Sequence, residues 1–419
     1  MSLSSAVSPS NEFRPTTQSE LMRFVKENYA GERHVLIPTG GRTSLQYGAT
    51  PEPEGVQIHL AGLANVVDYP ARDMTITVDA GLRMEKLDEI LKQEGQRLPI
   101  DVPQRERATL GGAIACDAAG PRRYGHGTWR DFLIGVTAID AEGVPFKAGG
   151  RVVKNVAGYD LCKVLIGSLG TLGIITQVTL KLRPRPETGT WIWSRFKTVE
   201  GIDPVLERLS RSESRPVAIE VLNSPAAMEL TSELGLDVPK VNPWLGVAVE
   251  GTSRDVTWQT EQLISEIGSC NPEQIDVITG DQTEFWRALA DYRVNSESPL
   301  SFQASVPPSR VVEFFSLAET LGISLQAHAG SGIVIGHLSD SVGTVHQAEE
   351  IVNRLRAITR QRGGHLIVLQ CAAGWKDRIS VFGDSAKGWN LMKELKRQMD
   401  PLDLLNLGRM FGKETVVRQ

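Results

Sequence analysis

The sequence predicts a two-domain α+β protein, and three observations carry that reading. The chain has 419 residues, two or three domains' worth by size. Of its 40 glycines, 21 fall between Gly31 and Pro184, so the first part needs many tight turns or close backbone approaches. Beyond Pro184, β-patterned runs alternate with helical ones, as expected for helices laid on a mostly antiparallel sheet. The prolines at 184 and 186 interrupt regular pairing and mark the boundary. The expected division is a disordered tail over 1–15, a first domain over 16–187, a second over 188–400 and a terminal segment over 401–419 that returns to the first.

In the first domain, Thr17 and Glu20 form a capping box for a helix reaching about Tyr29. Val35–Ile37 reads as a buried strand ending at Pro38. Short strands follow near Val56–Leu60, Asn65–Tyr69 and Thr75–Val78. A helix over Met84–Glu94 puts Leu87, Ile90 and Leu91 on one face and stops at Gly95. Phe132–Asp140 and Val144–Lys147 read as a hairpin across Glu142-Gly143, and Gly173–Leu182 as the last strand. The second domain predicts strands at Trp191–Phe196, Val217–Leu222, Leu245–Glu250, Leu300–Val306, Ser324–Ala327, Gly332–His337 and His365–Gln370. Helices fall between them, near Pro204–Ser210, Thr257–Ile267, Thr283–Asp291, Arg310–Leu321 and Val345–Arg362.

Composition removes several function classes. A net charge of −5 carries no electrostatic footprint for nucleic acid. Cys116, Cys162, Cys270 and Cys371 are widely spaced, which excludes a disulfide scaffold or a cysteine-held iron–sulfur cluster and suits a reducing cytoplasm. The longest uncharged run, Val164 to Leu180, falls short of the ~20 apolar residues of a membrane span. The N-terminus lacks the basic and apolar regions of a secretory signal.

Three glycine constellations carry the chemistry. The first is Thr39-Gly40-Gly41-Arg42-Thr43-Ser44, directly after the buried strand. Paired glycines let backbone N–H groups converge on an anion, with the hydroxyls of Thr39, Thr43 and Ser44 and the charge of Arg42 beside them. The same residues also suit a plain strand-ending turn, and the pattern is neither a P-loop nor a Rossmann fingerprint. The second, Thr109-Leu110-Gly111-Gly112-Ala113, continues through Gly120 and Arg122 to Gly125; its small residues let something flat lie on the backbone, or let a helix pack tightly. The third runs from Gly158 through Gly167, Gly170 and Gly173-Ile174-Ile175.

In this order and spacing the three resemble the FAD-binding domain of the vanillyl-alcohol oxidase / p-cresol methylhydroxylase (PCMH-type) superfamily, over about Pro15 to Pro184. The run Gly149–Thr176, with Lys154-Asn155-Val156-Ala157-Gly158-Tyr159-Asp160-Leu161, is most similar to the FAD-binding subunits of bacterial glycolate oxidase. The resemblance implies a PCMH-type domain of two α+β subdomains followed by an α+β cap. It implies FAD with its pyrophosphate in the Thr39–Ser44 loop, and Pro103 and Thr109–Gly112 along the flavin and phosphates. Gly120 and Arg122 would continue that wall, and Gly173–Ile175 would hold the adenine side. Covalently flavinylated relatives carry a histidine in the first loop, where this chain has Arg42, so FAD is expected without a bond to that loop. Val at Gly41 is expected to abolish FAD retention while leaving the fold mostly intact.

Relatives that oxidise 2-hydroxy acids carry an H-A-G-D-G-N-x-H stretch of metal ligands and a later E-H-G triplet in the cap. A metal there polarises the substrate while a base takes its hydroxyl proton. Here the stretch is His328-Ala329-Gly330-Ser331-Gly332-Ile333-Val334-Ile335-Gly336-His337, and the triplet is Ala372-Ala373-Gly374. The acidic position is Ser331 and the second histidine is displaced to His337. His328, His337 and Arg378 remain as weak candidates, with no metal expected, since strand histidines without a nearby carboxylate usually serve packing. His328→Ala is expected to change neither flavin nor metal content. In the segment Asp400–Phe411, Asn406 and Arg409 match the family's stretch returning toward the flavin domain. The expected function is an FAD subunit of a glycolate oxidase-type complex, partnered by a catalytic flavoprotein subunit and an iron–sulfur subunit, acting on a small 2-hydroxy acid. The alternative is a self-sufficient FAD-dependent dehydrogenase.

Overall fold

The computed structural model describes residues 12–51, 55–150, 160–234, 243–295, 297–384 and 388–411. Most of the Lys154–Leu161 motif lies outside them. The chain forms two compact units: one takes residues up to Ala118, Thr128–Arg185 and Asp384 onward, and the other Ala119–Gly127 and Pro186–Gly383.

The first unit holds β1 (Glu12–Phe13), β2 (Val35–Thr39), β3 (Gly55–His59), β4 (Val66–Asp68), β5 (Thr75–Asp79), β6 (Gln96–Arg97), β7 (Leu133–Ile139), β8 (Pro145–Gly149), β9 (Ile174–Lys181) and β10 (Arg183–Pro184). A small parallel sheet runs β1-β3-β2 and a five-stranded sheet runs β4-β5-β9-β7-β8. Every pair in the larger sheet is antiparallel. The expected disordered tail is therefore too long. Glu12 and Phe13 pair with Gln57 and Ile58 of β3, and the Phe13 ring stacks on Phe24 at 4.0 Å. The helix Gln18–Ala30 is capped by Thr17, whose hydroxyl accepts from the Glu20 N–H. The Glu20 carboxylate reaches past Thr17 to the Thr16 N–H at 2.8 Å, so the box closes one residue early. Leu21 and Val25 of this helix pack on Leu36, Ile58 and Leu60, the core beneath the parallel sheet.

The second unit is one eight-stranded antiparallel sheet with helices against it. Its strands are β11 (Thr188–Arg195), β12 (Ala218–Leu222), β13 (Trp244–Gly251), β14 (Gln274–Ile278), β15 (Leu300–Ser305), β16 (Ser324–His328), β17 (Ile333–His337) and β18 (His365–Cys371), in the order β14-β11-β13-β12-β16-β17-β15-β18. Alternation sorts its side chains. Ile219, Val221, Val247, Phe302, Leu325 and Val334 enter the main core with the helices Ser253–Gly268, Val311–Glu319 and Val345–Gln361. The other face carries Trp191, Trp193, Glu220, His328 and His337. Sequence periodicity missed β14 and the helices Ser224–Glu233 and Trp389–Met399. The last of these buries only Lys396 and groups with the first unit, so the second ends before the expected residue 400.

Candidate functional site

The three glycine constellations meet in the first unit around one cleft, open to solvent at its mouth. Thr39, Gly40, Gly41, Arg42, Thr43 and Ser44 form one wall. Thr109, Gly111 and Gly112 form the second, and Gly173 and Ile175 join a third.

The glycines are required where these segments touch. A side-chain carbon on Gly40 would sit 1.9 Å from Thr109 Oγ1, and one on Gly41 1.8 Å from the Arg107 carbonyl oxygen. Gly111 comes so close to Ala80 that an added carbon would lie 2.9 Å from its Cβ, and its N–H donates to the Ala80 carbonyl at 2.7 Å. The left-handed residue in the first loop is Arg42, at φ 58°, and neither glycine there has a positive φ. Among the described residues, no backbone-to-backbone hydrogen bond uses an N–H from Gly40 to Ser44. A row of such donors facing a cleft suits a phosphate.

Arg42 does not extend its charge into the cleft. Its guanidinium donates to Glu12 at 2.9 Å, to Gln57 at 3.1 Å and to His59 Nε2 at 2.6 Å. His59 Nε2 also lies 3.1 Å from Glu12 Oε1, and Nδ1 faces Thr39 Oγ1 at 3.0 Å. Burial lowers the His59 pKa. Arg14, Arg42 and His59 hold the Glu12 carboxyl down at about 2.

Some expected residues stand elsewhere. Leu110 and Ile174 are fully buried behind the walls, and neither they nor Pro103 lines the cleft. Gly120 and Arg122 belong to the second unit. There Arg122 pairs with Glu250 at 2.8 Å and lies 3.5 Å over the Trp286 ring. It makes an ion pair and a cation–π contact within that unit. Sequence reasoning gave Asn406 and Arg409 no cofactor role, yet both line the cleft.

The second-unit candidates form a different arrangement from the one expected. His328 has a carboxylate partner: Glu220 on the neighbouring strand lies opposite it, with 2.8 Å from Nδ1 to Oε1. Gln326 donates to the same carboxylate at 2.7 Å, and all three side chains are buried. Glu220 interrupts the apolar run Ala218-Ile219-Glu220-Val221-Leu222, and that lone charge was the available signal. His337 is buried and engaged at both nitrogens, with Ser301 Oγ at 2.7 Å and the Tyr292 carbonyl at 2.6 Å. A carbonyl only accepts, so Nε2 carries the proton. Burial pushes this imidazole down to about 4. Arg378 pairs with Glu349 on the surface. Among the described residues no three His, Cys, Asp or Glu side chains cluster as a metal site.

A family model described as an FAD binding domain matches residues 9–149, which include the first two walls of the cleft. The chain is an FAD-linked oxidoreductase. It is 24% identical over 425 residues to glycolate oxidase subunit GlcD of Bacillus subtilis, across 97% of this chain and 90% of that protein. It is 28% identical over 352 residues to glycolate oxidase subunit GlcE of Escherichia coli, across 83% and 85%. A solved structure of alkyldihydroxyacetonephosphate synthase shares its fold at a TM-score of 0.69 and 18% identity, over 94% of this chain and 75% of that one. The fold of this flavoprotein is thus PCMH-type, and the residues of its cleft fit FAD: N–H groups outside the backbone-to-backbone bonding, small walls, and a buried acceptor at Asn406 Oδ1 without a partner among the described residues.

Proposed function

We propose that this flavoprotein is the FAD-binding subunit of a glycolate oxidase-type complex, holding FAD non-covalently as an electron carrier while a catalytic flavoprotein subunit oxidises the 2-hydroxy acid. An iron–sulfur subunit completes the assembly, because four scattered cysteines do not ligate clusters. Bound FAD supplies two-electron acceptance and one-electron release. This chain's part is to bind and orient it: the Thr39–Ser44 loop would take the pyrophosphate, Thr109–Gly112 the flavin side, and Gly173–Ile175 the adenine side. The free cysteines fit a cytoplasmic setting.

One observation carries the reading: the proton-handling positions that relatives carry are largely lost. The triplet position reads Ala372-Ala373-Gly374, and His337 is buried and neutral with both nitrogens bonded, which leaves His328, held at Nδ1 by Glu220, as the one imidazole offered for proton transfer. A base must reach the proton that it abstracts.

Purified alone, the protein is expected to be yellow and to show no rapid anaerobic bleaching with glycolate or D-lactate. Co-purification from the native cell is expected to yield a hetero-oligomer with a second flavoprotein and an iron–sulfur protein. Fast bleaching by either acid would sink the subunit role. The Glu220–His328 pair favours a second reading, a self-sufficient dehydrogenase, since a carboxylate-supported imidazole is a common general base. An anaerobic screen of alcohols and hydroxy acids separates the two.

A further inference from the structure

We propose that Asn406 is a direct FAD contact, its side-chain oxygen accepting a hydrogen bond from a donor group of the cofactor. The inference rests on FAD occupying the cleft described above, and it adds the C-terminal segment to the cofactor site.

Asn406 is 6% exposed and lines the cleft. Its backbone is left-handed at φ 51°, a conformation that Asn tolerates better than most residues. Its Nδ2 donates to the Leu169 carbonyl at 2.6 Å, which fixes the side chain. The other half of the amide, Oδ1, is buried with no partner among the described residues. A buried acceptor left unsatisfied costs ~1–3 kcal/mol, and native structures rarely keep one without reason. The missing partner must be a donor. FAD offers several on both halves: the flavin N3–H, the ribityl and ribose hydroxyls, and the adenine amino group.

The surrounding bonds show how the chain holds this residue in place. The Leu36 N–H donates to the Leu404 carbonyl at 2.7 Å, and the Asn406 N–H returns to the Leu36 carbonyl at 2.9 Å. Leu405 is thereby added in parallel beside β2, the strand that delivers the first glycine loop. Three residues on, buried Arg409 donates to the Leu45 carbonyl at 2.6 Å and the Ser44 carbonyl at 3.3 Å. Arg409 is a positioning residue for the loop. Its bonds take up carbonyl oxygens of the loop, and the Gly40–Ser44 N–H groups stay clear of them.

The test is FAD affinity of flavin-stripped full-length protein, read by quenching of flavin fluorescence, in the unmutated chain, Asn406→Gly and Asn406→Asp. Both replacements accept φ 51°. Gly removes both amide atoms, whereas Asp keeps an oxygen acceptor and, when protonated, a donor to the Leu169 carbonyl, so both variants are read at about pH 5 as well as at neutral pH. Asn406→Gly is expected to weaken FAD binding ~10-fold or more at either pH, with Asn406→Asp within a few-fold of the unmutated chain at the lower one. Equal losses in the two variants at the lower pH would overturn the proposal. Unchanged affinity in Asn406→Gly would overturn it too, placing the oxygen against the smaller cavity that Asn406 also borders beside Lys393 and Phe411. If the unmutated chain itself fails to take up FAD, the cofactor reading falls instead.

Discussion

A methyl group at position 41 would lie 1.8 Å from the Arg107 carbonyl oxygen, and that backbone atom cannot swing away as a side-chain tip would. Gly41 is therefore held by packing between two loops, and the expectation that Val there spares the fold needs revising. Gly41→Val is expected to lose FAD and to lower stability by ~1–3 kcal/mol, the usual cost of overpacking. Flavin content per chain and the thermal midpoint of the stripped protein check the two effects. A second residue-scale correction concerns His328. Removing it takes a hydrogen-bond partner from the buried Glu220 carboxyl, leaving Gln326 among the described residues. His328→Ala is expected to cost ~1–3 kcal/mol on thermal or urea denaturation, while flavin content and turnover of the reconstituted complex stay within a few-fold. A turnover loss of ~10²–10⁴ with assembly intact would restore the imidazole as a general base.

At the scale of elements, the helix Trp389–Met399 inverts the usual pattern. Leu391 and Met392 are exposed, while Lys396 is buried. The cause lies in the turn and extended segment immediately C-terminal to the helix. The Lys396 ammonium donates to the Thr171 and Leu405 carbonyls, each at 3.0 Å, and pairs with Asp400 and with Asp403 at 2.9 Å. Asp400 in turn accepts from the Leu404 and Leu405 N–H groups at 2.9 and 2.6 Å. One cation thus ties a helix, a turn and the segment that bears Asn406 and Arg409. Lys396→Met would strand Asp400, which is 1% exposed. The expected result is ~3–5 kcal/mol of lost stability. It should be accompanied by faster hydrogen exchange at Leu404–Asn406 and weaker FAD retention. Unchanged exchange there would show that the segment is held by other means.

Across the whole molecule, His337 sets an acid limb on stability. Its imidazole titrates near 4 in the fold against an ordinary 6.5, so the unfolded chain takes up the proton first as pH falls. The contribution is complete above about pH 6.5, is lost between 6.5 and 4, and is flat below. The full span is about 3 kcal/mol. Glu12, held down at about 2, adds a second decline below its ordinary 4.5. Thermal midpoints between pH 8 and pH 4 should fall with acid, and His337→Gln should flatten the part above pH 4.5. An undiminished slope in that variant would move the titration to another group.

The sequence by itself determined most of the elements and the glycine-lined cleft. Alternation and helical spacing are local properties, and they located seven of the eight strands of the second unit's sheet; β14 was too weakly patterned to see. The cleft was legible because its walls are backbone. Glycine at 40, 41 and 111 records a close approach whatever lies opposite, and the resemblance of the ordered set to PCMH-type domains is what implied a flavin there. What only the tertiary structure decided are the pairings between distant side chains. Glu220 meets His328 across 108 positions, and Asn406 meets Leu169 across 237. Arg122 meets Glu250 across 128 positions and lies over the Trp286 ring. Charges and amides find partners by position in space, and no local periodicity encodes which residue a folded chain will bring within 3 Å.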